Sequence, residues 1–356
     1  MLNPLGVPRL KGISRFAREH GWNIMLENRR TPDLDFPDCD GVLATLRGGK
    51  VELRMVAVLR RRGIPVVDLT IACPRLKLPR VVSNHFAIGR LAARHFLDRG
   101  FEQFAWFSAG WSNVHRLRYE GFAADLPRKP LRLSLDHVAD HLKSAPKPLA
   151  VLTYDEIDAA RALSICRANM LAVPEDVSIL GIGNDEFLCE SQSITISSIE
   201  SRLEENAYRG AELLQRLMDG ERAPDEPILL QPSGVIARAS TETLAHRNPV
   251  VRAALVYIHR NLGKPLGSTE TAAAVGISRS RLDALFAKEV GHSVGREIIR
   301  QRMLRAKRLL KDPAVPVKNI AAVCGFCDTA YFSNVFSRET GLSPRSYRTS
   351  GAPQFP

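Results

Sequence analysis

Two kinds of hydrophobic pattern divide this chain near residue 240. Before that point, short apolar runs alternate with amphipathic segments, as expected of a mostly parallel sheet wound by helices. After it, apolar residues recur at helical spacing. We therefore predict an α/β unit over residues 1–239, a linker over 240–248, an all-α unit over 249–350 and a disordered tail over 351–356.

The first pattern predicts an order of strands and helices typical of an α/β sandwich with crossover connections. The predicted strands are 22–26, 41–44, 65–69, 103–107, 149–152, 177–182, 228–231 and 234–238. The predicted helices are 10–20, 52–62, 87–99, 117–124, 139–144, 158–168 and 204–218. Ligands of such sheets bind outside the carboxyl ends of the strands.

The second pattern contains one motif twice: a short helix, a tight turn and a second helix. The first copy covers residues 268–291, with Gly276 at the turn and Ser278 as the cap of the second helix. The second copy covers 317–341, with Gly325 at the turn. Two helix-turn-helix units joined by a basic amphipathic helix can present two recognition helices, each suited to a major groove.

Helical periodicity also separates the two faces of each recognition helix. Leu282, Leu285 and Phe286 point inward in the first helix, as do Phe332 and Phe336 in the second. The outward residues of the first helix are Arg279, Ser280, Asp283 and Ala284, and those of the second are Thr329, Ala330, Ser333 and Asn334.

The net charge of +12 is concentrated in the helical part. From Arg247 to Pro356 there are 18 Lys and Arg against 7 Asp and Glu, whereas the rest of the chain holds 32 against 31. A basic surface confined to a segment with groove-reading geometry favours a double-stranded DNA partner over a membrane-binding face.

Several other classes of protein are disfavoured by the sequence. No window approaches the roughly 18 apolar residues of a membrane helix, and the N-terminus lacks the apolar core of a signal peptide, so we expect a cytoplasmic protein. The six cysteines are scattered, and the Cys324/Cys327 pair has no second ligand pair for zinc. We find no paired acid and base, nucleophile elbow or phosphate loop, and we predict no metal, no cofactor and no enzymatic activity.

Three stretches of the helical part resemble the DNA-binding domain of AraC/XylS-type transcription regulators. They are VGISRSRL (275–282), AVCGF (322–326) and ETGLSPRSYR (339–348). The resemblance implies that the outward residues read bases or hold phosphates. Arg279 would contact guanine or a phosphate, and Asp283 would accept from cytosine or orient Arg279. Asn334 would read adenine or form part of a solvated face, and Arg338, Arg345 and Arg348 would hold phosphates.

Three other stretches resemble the periplasmic-binding-protein-like sensor domain of LacI/GalR-type regulators: 87–100, 118–122 and 173–186. The resemblance implies a two-lobed fold with a sugar site in the cleft between the lobes. Arg118 would donate to two sugar hydroxyls, unless it is a solvated charge at a helix start. Asp155 or Glu156 would be the acidic ligand, unless it caps a helix. Gly183 stands where the family has an aspartate, which leaves Asn184 and Asp185 as the polar residues after that strand.

One departure from this family concerns the start of the chain. The family fold begins with a strand before its first helix, whereas here residue 1 leads within ten residues into LKGISRFAREHG. We expect either that translation starts upstream or that the sheet lacks a strand beside its cleft.

These observations predict a homodimeric, sugar-responsive transcription activator that binds promoter DNA and a pentose such as D-xylose. One alternative is a DNA-binding regulator whose sensor is degenerate or responds to another ligand. An alternative of a different class is a cytoplasmic sugar-binding or sugar-processing protein whose basic tail is incidental.

Overall fold

The computed structural model describes residues 6–26, 38–242, 248–310 and 315–349. Contacts divide the chain into an N-terminal unit, Met1–Thr243, and a C-terminal unit, Leu244–Pro356. Part of the predicted linker (243–247) and the predicted tail (351–356) lie outside the described residues. No helix within the described ranges combines the length and apolar character that a membrane crossing requires.

The N-terminal unit alternates strands and helices, as the hydrophobic pattern predicted. Its strands are β1 (Val42–Ala44), β2 (Val66–Asp68), β3 (Val81–Ser83), β4 (Gln103–Phe107), β5 (Leu131–Leu133), β6 (Leu149–Thr153), β7 (Val177–Ile182), β8 (Ser197–Glu200), β9 (Ile228–Leu230) and β10 (Gly234–Ile236). Its helices are α1 (Gly6–His20), α2 (Lys50–Arg61), α3 (His85–Leu97), α4 (Asn113–Ala124), α5 (Val138–Ser144), α6 (Glu156–Ala168), α7 (Glu186–Glu190) and α8 (Leu203–Met218).

The strands form two lobes. In the larger lobe, the described strands run in the order β10-β8-β7-β6-β4-β5, and every pair is parallel except β8 with β10. In the smaller lobe, β1 pairs with β2 and β3 pairs with β9, and a bridge between Asp68 and Arg80 connects the two pairs. Helices α1 and α8 pack on the smaller lobe around Ile13, Val67 and Ala207.

The chain crosses between the lobes at three adjacent places. The Ser83 hydroxyl donates to the Ser201 carbonyl (2.9 Å), and the backbone N–H of Asn84 donates to the Leu230 carbonyl (2.7 Å). The Ser233 amide donates to the Glu200 carbonyl (3.1 Å). These bonds tie the three crossings together, so the lobes share one hinge region.

Some local predictions were wrong. Residues 22–26 form no strand, and Ile24, Met25 and Leu26 are 43 to 60% exposed, so they have neither ladder partners nor a core face there. Strands β3, β5 and β8 and helix α7 were missed because each is only three to five residues long. A 3-10 helix, Ala239–Thr241, is buried against the larger sheet, so the first residues of the predicted linker pack with the N-terminal unit.

The C-terminal unit is all helical in its described residues. Its helices are α9 (Pro249–Asn261), α10 (Ser268–Ala274), α11 (Arg279–Glu289), α12 (Val294–Leu310), α13 (Val317–Val323), α14 (Thr329–Thr340) and α15 (Pro344–Thr349). One core surrounds Leu282 and Phe286, and a second surrounds Phe332 and Phe336, which confirms the predicted inward residues. Cys324 is buried in the second core, and Cys327 is exposed.

Candidate DNA-reading surface and ligand cleft

Helix α11 is the first candidate recognition helix. The Ser278 hydroxyl caps it by accepting from the Arg281 amide (3.4 Å), and the buried Leu282 fixes which face is outward. Arg279, Ser280 and Ala284 are exposed and Asp283 is half-buried. These four predicted residues therefore line one face.

Asp283 occupies an unusual position on this face. Its Oδ2 lies 3.6 Å from Arg279 Nε, while its Oδ1 is buried without a hydrogen-bond partner among the described residues. Because buried carboxylate oxygens normally accept a hydrogen bond, Oδ1 is suited to accept one from a cytosine amino group. The contact with Arg279 suits Oδ2 to orient the Arg279 side chain.

Helix α14 is the second candidate recognition helix. The Asp328 carboxylate caps it by accepting from the Tyr331 amide (2.6 Å). Ala330 and Asn334 are exposed, whereas Thr329 is half-buried. Ser333, also half-buried, donates its hydroxyl to the Thr329 carbonyl (2.8 Å). Among these four predicted residues, Asn334 therefore has the most exposed polar side chain.

The arginines near the end of the chain fall into two groups. Arg345 is exposed, and Arg338 is 66% exposed with its Nε 3.7 Å from Glu339 Oε1. Arg348 instead donates to the carbonyls of Leu310 (3.3 Å) and Val315 (2.6 Å). Its guanidinium holds the fold together, so the expected phosphate role for Arg348 is not favoured by this geometry.

In the N-terminal unit, Arg118 lies against Tyr154, the residue that follows β6. Helix α4 carries it against α3 at a point where only glycines fit: a Cβ on Gly89 would lie 2.2 Å from the Arg118 carbonyl oxygen, and one on Gly121 would lie 2.0 Å from that of Phe86. The Arg118 side chain is buried. It donates from Nε to His85 Nδ1 (3.4 Å) and from Nη1 to the Tyr154 carbonyl.

Two aromatic rings border this guanidinium. The Arg118 Cζ lies 4.7 Å from the Tyr154 ring centroid, and the His115 ring stacks on Tyr154 at 3.7 Å. Such flat surfaces suit the apolar face of a sugar ring, while the guanidinium supplies directed donors.

Burial dominates the electrostatics of the cleft. It lowers the pKa of Arg118, and it lowers the pKa of His85 well below the usual 6.5, with the charges of Arg118 and Arg9 adding to the effect. Burial and then the charge of Arg118 lower the pKa of Arg9, in α1, to about 10. His85 is therefore neutral, and Arg9 and Arg118 are close enough to repel each other.

Acidic side chains lie across from these bases. The Asp155 Oδ1 accepts from the Asp158 amide (2.9 Å) and caps α6. Glu156 is buried, and its Oε1 accepts from the backbone N–H of Asn184 (2.7 Å) and from the Ser198 hydroxyl. Burial raises the pKa of Glu156. Asp155 therefore has the helix-capping role that was the predicted alternative, whereas Glu156 is held by internal hydrogen bonds.

Comparison with known proteins covers both units. Residues 93–241 match the periplasmic binding protein-like domain family, and residues 271–350 match a helix-turn-helix domain family. The xylose operon regulatory protein of Haemophilus influenzae is 26% identical over 95% of this chain and 94% of its own length. That of Escherichia coli K12 is 25% identical over 95% and 92%.

The solved structure of a xylose-binding transcription activator, xylR, agrees with this fold at a TM-score of 0.79, with 24% identity, covering 98% of this chain and 96% of the other. The predicted two-lobed sensor followed by a double helix-turn-helix domain is therefore confirmed. This chain is a DNA-binding transcription regulator whose helix-turn-helix domain is similar to the AraC/XylS type.

The structure of the regulator separates its five predicted ligand residues. Arg118 and Asp155 keep hydrogen-bonding capacity that no described residue uses. Glu156 and Asn184 belong to an internal network, in which Asn184 donates to Glu200 Oε2 (2.9 Å) and accepts from Arg238 Nη2 (3.1 Å). Asp185 is exposed and caps α7.

Sequence reasoning missed two bases of the regulator's cleft. Arg9 was not singled out, because it precedes every predicted strand and only the packing of α1 on α8 brings it to the site. His85 was not assigned to the site, although it follows β3 immediately after the N-cap Asn84. Its position after a strand was the available signal, but β3 itself was not recognised.

Proposed function

We propose that the regulator is a homodimeric activator whose affinity for promoter DNA changes when a small sugar binds in its cleft. The observation that carries this is Arg118: a buried guanidinium at the carboxyl edge of a two-lobed sheet, held by His85 and Tyr154, with N–H groups left for a ligand. Asp155 supplies an acceptor for sugar hydroxyls beside it.

On DNA, α11 and α14 would enter successive major grooves on one side of the duplex, about 34 Å apart. Each monomer would then contact a non-palindromic tandem site, and a dimer would contact direct repeats. The residues proposed to contact DNA are Arg279, Ser280, Asp283, Ala284, Thr329, Ala330, Ser333, Asn334, Arg338 and Arg345.

The relatives are named for xylose, so D-xylose is the first neutral candidate. A sugar that bridges the lobes would favour one arrangement of the hinge region and, through it, one arrangement of the DNA-binding units in the dimer. The sugar must prefer that arrangement, because a ligand with equal affinity for both states shifts neither.

The test is fluorescence anisotropy of the full-length protein on DNA from its own upstream region, with and without D-xylose, L-arabinose, D-ribose and D-glucose. We expect one sugar to change the affinity or stoichiometry, and Arg118→Gln to abolish that response without changing DNA binding in the absence of sugar. Arg116→Gln is the matched control, because Arg116 lies on the same helix but pairs with Glu120 at the surface.

Tight DNA binding with no response to any sugar would favour a second candidate, a regulator whose sensor no longer takes neutral sugars. Gly183 is the observation behind it. With φ of +135°, Gly183 leaves room for Glu156, whose Oε2 would lie 2.9 Å from any Cβ there. The loop after β7 therefore lacks the aspartate that the resemblance leads us to expect at position 183. The Glu156 carboxylate lies there instead and is already hydrogen-bonded within the protein.

A further inference from the structure

The cleft contains more N–H donors than there are acceptor groups of the described residues to receive them. A guanidinium carries five N–H groups. Among the described residues, those of Arg118 have acceptors only at His85 and Tyr154, and Arg9 has one only at Asn206 Oδ1 (3.4 Å). Since His85 accepts at Nδ1, the proton of its neutral ring is on Nε2, which is a further donor.

The acceptors nearby are largely committed. The Asp68 oxygens receive the Leu46 and Thr70 amides, the Thr70 hydroxyl and Arg80 Nε. Glu156 and Asn184 are held in the network described above. Asp155 uses Oδ1 for its cap, which leaves Oδ2 as the acceptor for a ligand.

Ion pairing shows the same imbalance. Buried Arg80 is paired with Asp68 at 3.2 Å, the usual arrangement for a charge removed from water. Neither Arg9 nor Arg118 has a carboxylate oxygen within 4.0 Å in the ranges that the structure describes. Asp155 and Glu156 attract Arg118 only from a longer distance.

We infer that the ligand of this cleft is an anionic sugar derivative, with its carboxylate or phosphate oxygens against Arg118 and Arg9 and a hydroxyl donating to Asp155. This inference rests on the proposed function and specifies the class of its effector. A neutral pentose would satisfy some N–H groups but leave two neighbouring cations uncompensated, whereas an oxyanion accepts from a guanidinium fork with two oxygens at once.

The experiment is isothermal titration calorimetry of the full-length protein with D-xylonate, D-ribose 5-phosphate and D-xylose. At least one anion should bind tenfold or more tightly than D-xylose, as expected for charge-assisted hydrogen bonds. Tighter binding of xylonate would identify a carboxylate ligand, and tighter binding of ribose 5-phosphate a phosphate ester. Inorganic phosphate alone should bind weakly, because it lacks the hydroxyl that Asp155 receives.

Substitutions locate the anion. Arg9→Gln should weaken anion binding about tenfold or more while changing the affinity for D-xylose little, and Arg9→Lys should recover part of the loss. Arg118→Lys, which keeps the charge but not the fork, provides a second test if Arg9→Gln perturbs α1, as judged by circular dichroism. Arg116→Gln should have no effect.

Three results would overturn the inference. Tighter binding of D-xylose than of either anion would refute an anionic ligand but leave sugar sensing intact. Anion binding that is unchanged in both Arg9→Gln and Arg118→Lys would place the anion elsewhere. Failure of both anions to bind a protein that still binds DNA would refute the anionic ligand, and the absence of a response to any of the four neutral sugars as well would also refute the proposed sugar response.

Discussion

The buried and half-buried arginines of the two units differ in which atoms accept their hydrogen bonds. In the C-terminal unit, Arg302 donates to the carbonyls of Leu262 (3.2 Å) and Lys264 (2.9 Å), and Arg348 makes the equivalent bonds one repeat later. In the N-terminal unit, Arg118 and Arg9 retain N–H groups without acceptors in the described residues.

The position of the two C-terminal arginines explains their role. Each lies on the helix that follows a recognition helix, α12 or α15, and each binds the backbone that precedes its own helix-turn-helix. A buried guanidinium therefore stabilises the fold where loop carbonyls surround it, and it forms a ligand site where they do not. Residue type and burial alone do not distinguish these roles.

Replacing Arg302 tests the structural half of this comparison. Arg302→Met should lower the free energy of unfolding of the C-terminal unit by about 2 to 4 kcal/mol, because two carbonyls lose a charged donor. All three tryptophans, Trp22, Trp106 and Trp111, lie in the N-terminal unit. In urea, the far-UV circular dichroism should therefore show an earlier loss of helix while the tryptophan fluorescence transition stays in place.

The control is Arg281→Met, because Arg281 is exposed on α11 and should leave both transitions unchanged. A shift of the tryptophan transition in Arg302→Met would contradict a stabilising role confined to the C-terminal unit.

Acid should affect the N-terminal unit at higher pH than the C-terminal unit. His95 is buried, its Nε2 lies 3.0 Å from the Thr241 hydroxyl, and burial, with a smaller contribution from Arg99, lowers its pKa to about 3. Because the unfolded chain binds this proton near pH 6.5, stability falls as pH drops below that value, by about 2 kcal/mol at pH 5.

His95→Gln should reduce this loss, while His85 and His115, whose pKa values are also lowered by burial, maintain the remainder, when tryptophan fluorescence in urea is followed between pH 7 and about pH 5. Burial raises the pKa values of Asp68 and Glu156, which opposes the loss at lower pH, so the difference from the variant isolates His95. The exposed His137 provides the control His137→Gln. Equal slopes for His95→Gln and the unsubstituted protein would exclude His95 as the cause.

The C-terminal unit has a different acid response. Burial alone would raise the pKa of Glu297, but bonds from Arg300, Gln301 and His292 lower it overall. The stability that Glu297 contributes is therefore present above about pH 4.5 and is lost as pH falls through its lower folded value.

The difference between the units also shows what the sequence could predict. In the C-terminal unit, helical periodicity alone placed Leu282, Phe286, Phe332 and Phe336 in the cores, because a regular helix fixes which side chains share a face. The outward residues of α11 and α14 follow from the same geometry.

The cleft was only partly predictable. Resemblance to the LacI/GalR-type sensor identified Arg118, and position after a strand identified Asp155, but neither showed whether the side chain is already hydrogen-bonded. Asn184 and Glu156 are committed to partners 14 to 54 residues away, and Arg9 reaches the site through contacts between α1 and α8. Such non-local partners leave no periodic trace in one sequence.

The smallest expected effect concerns exposed arginines such as Arg345, which neither donate to loop carbonyls inside the fold nor lie in the cleft. Arg345 is exposed, so Arg345→Gln should weaken binding to every DNA sequence by a few fold and reduce the slope of log affinity against log salt by about 1. Asn334→Ala should instead reduce only binding to the specific site and leave that slope unchanged, because a base contact releases no counterion. Anisotropy titrations at several salt concentrations, on specific and scrambled DNA, distinguish the effects of the two substitutions.

If Arg345→Gln changed the preference between the two DNAs instead of the salt slope, Arg345 would be a base reader, and exposure would not be sufficient to assign an arginine to phosphate.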